Sequence, residues 1–146
     1  METAVRSARP HDVGALAELE RDARQALVDQ RGGPQLLAEE PPVGSWAALL
    51  DRDHVAVLVG TIDEHVVAYL ELVLDGTTAR VRQVYVEPEA RELGFGDEML
   101  AQAIALARDR GCSALEGTAL PGDRLTKNLY ERAAITTRKL TVWTAL

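Results

Sequence analysis

The sequence has little that would indicate a disulfide-stabilised, membrane-bound or metal-binding protein. Its 146 residues include one cysteine, Cys112, so no disulfide can form within the chain. No apolar run approaches the ~20 residues that cross a membrane, and the first residues lack a signal-peptide pattern. The histidines lack the spacing of metal ligands. We therefore expect a cytoplasmic protein with no membrane segment and no metal.

An excess of positive charge is also missing, since the formal net charge is −7. A protein that binds nucleic acid needs a basic face, so we expect no nucleic-acid partner. The acidity would mildly favour a cationic acceptor such as an amine, although a contribution to solubility explains it more simply. The length fits one domain, which we expect to span residues 1–146.

Hydrophobic periodicity predicts a chain that alternates between strands and helices. Apolar residues at spacings of three and four predict helices, and short β-branched runs predict strands. Asp75-Gly76 predicts a hairpin, and a crossover through a helix makes the next strand parallel to the strand before it. The predicted helices cover about 10–30, 35–39, 45–50, 96–110 and 124–133. The predicted strands cover 3–8, 55–59, 66–74, 79–86, 114–120 and 139–146.

The most informative segment runs from Val81 to Leu100, where a strand leads into Arg91-x-x-Gly94-x-Gly96 and an amphipathic helix. Glycines let the backbone pass close to a ligand. The first N–H groups of a helix have no partner within it, so they favour an anion, usually phosphate. A tight turn is the simpler alternative. A dinucleotide-binding fingerprint fits less well, because Met99 occupies the place of its third glycine and hairpin-linked strands precede the loop.

This segment resembles motif A of the GNAT superfamily of N-acetyltransferases, whose Arg/Gln-x-x-Gly-x-Gly/Ala loop binds the pyrophosphate of acetyl-coenzyme A. The resemblance implies an α/β GNAT fold: a mixed, mostly antiparallel central sheet with a splayed parallel strand pair and helices on both faces. It also implies that pantetheine bonds the backbone at the end of the strand before the loop, beside a bulge. The cofactor-binding residues implied are Val84, Tyr85, Val86, Arg91, Glu92, Leu93, Gly94, Phe95, Gly96 and Asn128. Asp97 and Glu98 depart from expectation, since acids there repel a pyrophosphate.

A second segment, from Asp123 to Glu131, resembles the family's Asn-x-x-Ala-x-x-Leu-Tyr-Glu motif. Its Leu-Tyr-Glu matches, whereas Asp123 and Thr126 replace the asparagine and alanine, and Ala134-Ile135 replaces the usual Gly-Phe. The resemblance implies that Tyr130 protonates the departing thiolate, which suits a phenol with a pKa of about 10. The alternative is that the ring of Tyr130 only packs in the core.

The base that would deprotonate an amine is less evident. Glu71 is an acid within an otherwise apolar strand and is the catalytic candidate, directly or through water. An outward-facing side chain explains it equally well, Glu116 is a weaker candidate, and water alone is the third option. By resemblance, the acceptor pocket falls within about 27–50, where Trp46 would line the pocket or pack in the core. Asp29, Glu39 and Glu40 there would select a positive acceptor or are simply solvated.

Taken with the resemblance, these features predict an enzyme that transfers an acetyl group from acetyl-CoA, its co-substrate, to a primary amine. The acceptor is a small molecule or a protein N-terminus or lysine. The short C-terminal tail would leave the substrate cleft more open, or a homodimer partner would complete it. The competing interpretation is a non-catalytic module that binds acyl-CoA as a sensor or interaction domain. The departures at Asp97, Asp123 and Ala134-Ile135 and the lack of an evident base favour it.

Overall fold

The computed structural model describes residues 1–146 and contains one five-stranded sheet with the order β1-β2-β3-β4-β5. The strands are β1 (Thr3–Ser7), β2 (Val55–Ile62), β3 (His65–Asp75), β4 (Thr78–Val86) and β5 (Ala114–Gly117). The helices are α1 (Val13–Leu27), α2 (Gly33–Glu39), α3 (Trp46–Leu50), α4 (Phe95–Asp109) and α5 (Arg124–Arg132), with short 3₁₀ turns at Pro10–Asp12 and Pro88–Ala90. None of the helices combines the length and apolar character needed to cross a bilayer.

The sheet is antiparallel from β1 to β4, whereas β4 and β5 are parallel. The hairpin between β3 and β4 turns at Gly76, whose φ of +73° suits glycine. The parallel pair follows from the α4 crossover that joins β4 to β5. The mixed, mostly antiparallel sheet expected from the sequence is therefore confirmed.

Strand alternation divides the core between the two faces of the sheet. In β2, Val57 and Val59 pack with α1 and α3, whereas Leu58 belongs to the cluster that contains α4 and α5. Since successive strand residues point to opposite faces, the continuous apolar run supplies both clusters. Helices cover both faces, as expected.

The parallel pair diverges partway along β4. Pairing with β5 extends only from Thr78 to Val81, which faces Gly117. Directly after this point β4 carries a bulge, because Leu72 faces Val81 whereas Glu71 faces Gln83, and Arg82 has no partner on β3. The β5 side of β4 is consequently open from Arg82 to Val86.

Two strand predictions need correction. The chain from 139 to 146 forms no strand, and its large apolar side chains are exposed, with Val142 at 94% and Trp143 at 66%. Trp143, in what would have been the last strand, therefore does not pack in the core. The strand expected over 114–120 ends at Gly117. Strand propensity alone did not suffice in these segments, because a strand also needs a neighbour to pair with.

Candidate active site

A cavity of about 620 Å³ opens where β4 and β5 diverge. The end of β4, the loop before α4 and one face of α5 form one side of it, and α1 and α2 form the other. Gln30, in the turn after α1, donates a 2.8 Å hydrogen bond to the carbonyl of Pro121, which links this turn to the loop after β5. The cavity therefore brings together both segments that the sequence singles out.

The N-terminus of α4 faces this cavity without a side-chain cap. Gly94 is the N-cap residue with a φ of +85°, and space is open around it where a Cβ would be. Glu92 has a left-handed φ of +75°, which is uncommon for a residue with a side chain. The N–H of Glu98 is the first to bond back, to Gly94, so the earlier N–H groups are free for an anion.

Arg91 connects this loop to the end of β4. Its Nε donates a 3.1 Å hydrogen bond to the carbonyl of Val86, and its guanidinium lies 5.8 Å from the centre of the Tyr85 ring. Arg91 also lines the cavity. These contacts hold the Arg91 guanidinium beside the uncapped N-terminus of α4. The guanidinium and the helix N-terminus both favour the binding of a negatively charged group.

Most residues expected to bind the cofactor line the cavity, and two do not. The lining residues among them are Val84, Tyr85, Val86, Arg91, Glu92, Gly94, Phe95 and Gly96. Leu93 is 44% exposed and lies outside the cavity. Asn128 is also exposed, because it lies on the opposite side of α5 from Thr126 and Tyr130, which both line the cavity. The geometry gives no support to a role for these two side chains.

The acid at the start of α4 has a partner that sequence reasoning missed. Asp97 accepts a 2.9 Å hydrogen bond from Nε of Arg132, and both side chains line the cavity. Each is about half exposed. Arg132 thus offsets the negative charge of Asp97, while Glu98 is turned away to accept a hydrogen bond from Gln102.

Tyr130 is buried in the core cluster, with its ring lining the cavity. Burial raises the pKa of Tyr130 to about 12. The hydroxyl makes no hydrogen bond within the protein, and its oxygen is not completely enclosed by other atoms. The group is therefore a protonated phenol that retains access to the cavity.

Gly117 lies directly against this hydroxyl. A Cβ at Gly117 would be 2.0 Å from Oη of Tyr130, a distance that real Cβ atoms do not reach. The end of β5 must therefore be glycine for the phenol to occupy this position. A glycine at a strand end beside a tyrosine motif could have suggested such a contact from the sequence.

Glu71 is 2% exposed and does not line the cavity. One oxygen accepts hydrogen bonds of 2.8 Å from both Arg82 and Gln83, which do line it. The outward orientation considered for Glu71 is thus excluded, and its role as a base remains a prediction. Because Glu71 is buried and accepts both hydrogen bonds, it fixes the positions of the Arg82 and Gln83 side chains.

Arg82 and Gln83 extend this network to the helices. Arg82 also donates a 3.0 Å hydrogen bond to Glu40, and the carboxylates of Glu71 and Glu40 raise its pKa despite burial, which lowers it. Gln83 donates to Glu20 at 2.9 Å and accepts from the Tyr69 hydroxyl at 2.7 Å. The pKa of Tyr69 is raised, first by burial and then by the nearby charge of Glu20.

The four residues between 27 and 50 that were expected to contact an acceptor lie in different surroundings. Glu40 lines the cavity, whereas Asp29 and Glu39 do not. Trp46 packs in the core, 5.7 Å from Tyr69 in an edge-to-face arrangement. No group of three His, Cys, Asp or Glu side chains is placed to hold a metal ion. Only Glu40 among these candidates can meet an acceptor directly.

Comparison with known proteins agrees with this architecture. The sequence model of the acetyltransferase (GNAT) family matches residues 13–134. A sequence search of curated proteins finds no match. The fold is similar to that of the aminoglycoside N-acetyltransferase AAC(6')-Iy in complex with CoA, with a TM-score of 0.74 and 11% identity over 98% of both chains.

Two further structures share the fold. An aminoglycoside acetyltransferase from an uncultured soil metagenomic sample has a TM-score of 0.74 and 17% identity, covering 100% of this chain and 99% of its own. The ribosomal-protein-alanine N-acetyltransferase of Brucella melitensis has a TM-score of 0.70 and 15% identity over 100% and 99%. Since the family match covers most of the chain, the protein belongs to the acetyltransferase (GNAT) family.

Proposed function

We propose that this protein is an acetyl-CoA-dependent N-acetyltransferase that acts on a primary amine of a small molecule or a protein. One observation carries the proposal: the open edge of β4, the uncapped N-terminus of α4 and the phenol of Tyr130 share one cavity. Binding of CoA by the related AAC(6')-Iy supports the choice of co-substrate. The whole chain, residues 1–146, would act as one domain.

The cavity fits the chemistry of acetyl-CoA. The pyrophosphate would lie at the free N–H groups before Glu98, with Arg91 and Arg132 as cations. The amides of pantetheine would bond the open edge of β4 from Arg82 to Val86, where backbone groups lack a strand partner. Leu93 and Asn128, which the resemblance also implies, would contribute little.

Tyr130 would act as the general acid. When the amine attacks the thioester carbon, the carbon–sulfur bond breaks and the sulfur leaves as a thiolate that needs a proton. With its pKa raised to about 12, the phenol stays protonated at neutral pH and is available to donate. Its hydroxyl has no competing partner within the chain.

Glu71 would act indirectly. To take a proton directly from the amine, Glu71 would have to reach the cavity. Arg82 and Gln83, which donate hydrogen bonds to Glu71, line the cavity in its place. We therefore assign Glu71 the task of positioning them and assign the amine proton to water. A homodimer remains a prediction.

Catalysis is favoured over a non-catalytic module because three of the departures from the family motifs, at Asp97, Asp123 and Ala134, have a structural substitute. Arg132 offsets Asp97. Asp123 caps α5, accepting a 3.1 Å hydrogen bond from the N–H of Thr126, as an asparagine would. Ala134 adopts the left-handed φ of +62° that favours glycine.

The test measures thiol release on a panel of amines together with coenzyme A affinity by calorimetry. Tyr130→Phe keeps the ring packing, so affinity should persist, whereas turnover should fall by about 10²–10⁴-fold. Unchanged turnover would remove Tyr130 from the mechanism. Normal coenzyme A binding with no acetylation of any amine would favour the sensor.

A further inference from the structure

The side of the cavity formed by α1, α2 and the middle of β4 carries charged groups that define what an acceptor meets. We call this side the acceptor wall, and its charged members are Arg24, Glu40 and Arg82. It is distinct from the α4 loop, which offers its N–H groups to an anion. The inference below rests on the proposed function.

Every carboxylate at the acceptor wall already has donors. Glu40 accepts hydrogen bonds from Arg80 at 2.7 Å and from Arg82 at 3.0 Å. Behind the wall, Glu71 is held by Arg82 and Gln83, and Glu20 by Gln83 and the N–H of Val43. A polycationic acceptor would therefore find no free carboxylate here.

Arg24 differs from the other charged groups of the wall. Its guanidinium donates to two carbonyls at the end of α2, those of Glu40 at 2.7 Å and Leu37 at 3.3 Å, and it forms no ion pair. These two carbonyls fix the orientation of the Arg24 guanidinium, but each carbonyl oxygen carries only a partial negative charge. A guanidinium has five N–H donors, so donors remain after these two bonds.

We propose that the acceptor amine also carries a carboxylate or similar anionic group, which Arg24 binds. The class is that of amino acids and other zwitterionic amines, and it excludes polycations such as aminoglycosides. A planar, oriented guanidinium suits a carboxylate, which it can bind through two parallel hydrogen bonds. The fold relatives that acetylate aminoglycosides would thus differ from this chain in acceptor charge.

The experiment compares matched acceptors that differ only in the carboxylate. Phenylalanine is paired with phenethylamine, lysine with cadaverine, and γ-aminobutyrate with propylamine, and neamine serves as the polycation. Acetylated product is measured by mass spectrometry with saturating acetyl-CoA. We expect the carboxylate-bearing member of at least one pair to have the higher kcat/KM.

Arg24→Gln removes the charge and retains a polar side chain with an N–H donor. For the preferred pair, it should lower the ratio of kcat/KM with the carboxylate to that without it by about 10–100-fold, the range expected for a hydrogen bond between charged groups. The loss should be in KM for the acceptor, and Arg24→Lys should restore part of it. Arg21→Gln is the matched control, since Arg21 is exposed one turn earlier on α1 and does not line the cavity.

The outcomes separate this inference from the proposed function. Turnover that favours neamine or the amines without a carboxylate would overturn the anionic acceptor and leave the acetyltransferase standing. An unchanged ratio in Arg24→Gln, with the thermal midpoint retained, would overturn the role of Arg24. Failure of the whole panel to accept an acetyl group would overturn both.

Discussion

The contact between Gly117 and Tyr130 allows the catalytic proposal to be tested without altering the tyrosine. A Cβ at Gly117 would lie 2.0 Å from Oη, 2.5 Å from Cζ and 3.0 Å from Cε1 of Tyr130. Since non-bonded Cβ contacts essentially never fall below 3.0 Å, Gly117→Ala must displace the hydroxyl by about 1 Å. The backbone itself accepts alanine, because φ at Gly117 is not positive.

The expected consequence is a loss of turnover rather than of cofactor binding. A displacement of about 1 Å in a reacting group can cost about 10²-fold in rate, so kcat should fall by that order. The affinity for coenzyme A should change little, because its proposed contacts, on β4, at the start of α4 and at Arg91 and Arg132, do not include the Tyr130 hydroxyl. Overpacking should lower the free energy of unfolding by about 1–3 kcal/mol, which urea denaturation would measure.

A double-mutant cycle decides whether the hydroxyl is the cause. In the Tyr130→Phe background the proton donor is already missing, so Gly117→Ala should cost far less than it does in the wild type. Gly14→Ala is the control, since a Cβ there meets nothing within 4 Å. A folded Gly117→Ala protein with wild-type kcat, or equal costs in both backgrounds, would refute the reasoning.

Two further predictions concern the departures from the family motifs. Asp97→Asn should strengthen coenzyme A binding by about 0.3–1 kcal/mol at low salt and by less at high salt, because it removes a negative charge from the start of α4 and frees Arg132. Calorimetry would measure the gain, and an equal gain from Glu98→Gln, whose side chain does not line the cavity, would contradict the specific effect. Ala134→Gly should raise the free energy of unfolding by about 1 kcal/mol, because the left-handed φ of +62° no longer strains a Cβ. Urea denaturation checks this, and an unchanged midpoint would show that the strain is relieved elsewhere.

Local patterns were sufficient for most of the fold. The Asp75-Gly76 hairpin, the glycine loop before α4 and the Asp123 cap each depend on residues close in sequence, and each forms as expected. The C-terminal segment failed because its strand depends on a partner that no local pattern specifies. The pair of Asp97 and Arg132 joins residues on different elements, so only the packed structure reveals it. For the contact of Gly117 with Tyr130, the sequence offers no more than a glycine at a strand end.

The orientation of Arg82 and Gln83 could not be predicted from the regular alternation of side chains along a strand. In a regular strand, consecutive side chains point to opposite faces of the sheet. Here both contact the same oxygen of Glu71, because the bulge leaves Arg82 without a partner on β3. The bulge also comes directly after Val81, the last residue of β4 that pairs with β5.

One extra residue in β4 is therefore associated with both halves of the site. The bulge lies directly after the last pair of β4 with β5, where the edge that we assign to pantetheine begins, and it contains Arg82, which donates to Glu40 on the acceptor wall. Because Arg82 occupies the carboxylates of both Glu40 and Glu71, the same bulge leaves the wall without a free negative charge. The cofactor cleft and the preference for an anionic acceptor would then have a common structural origin.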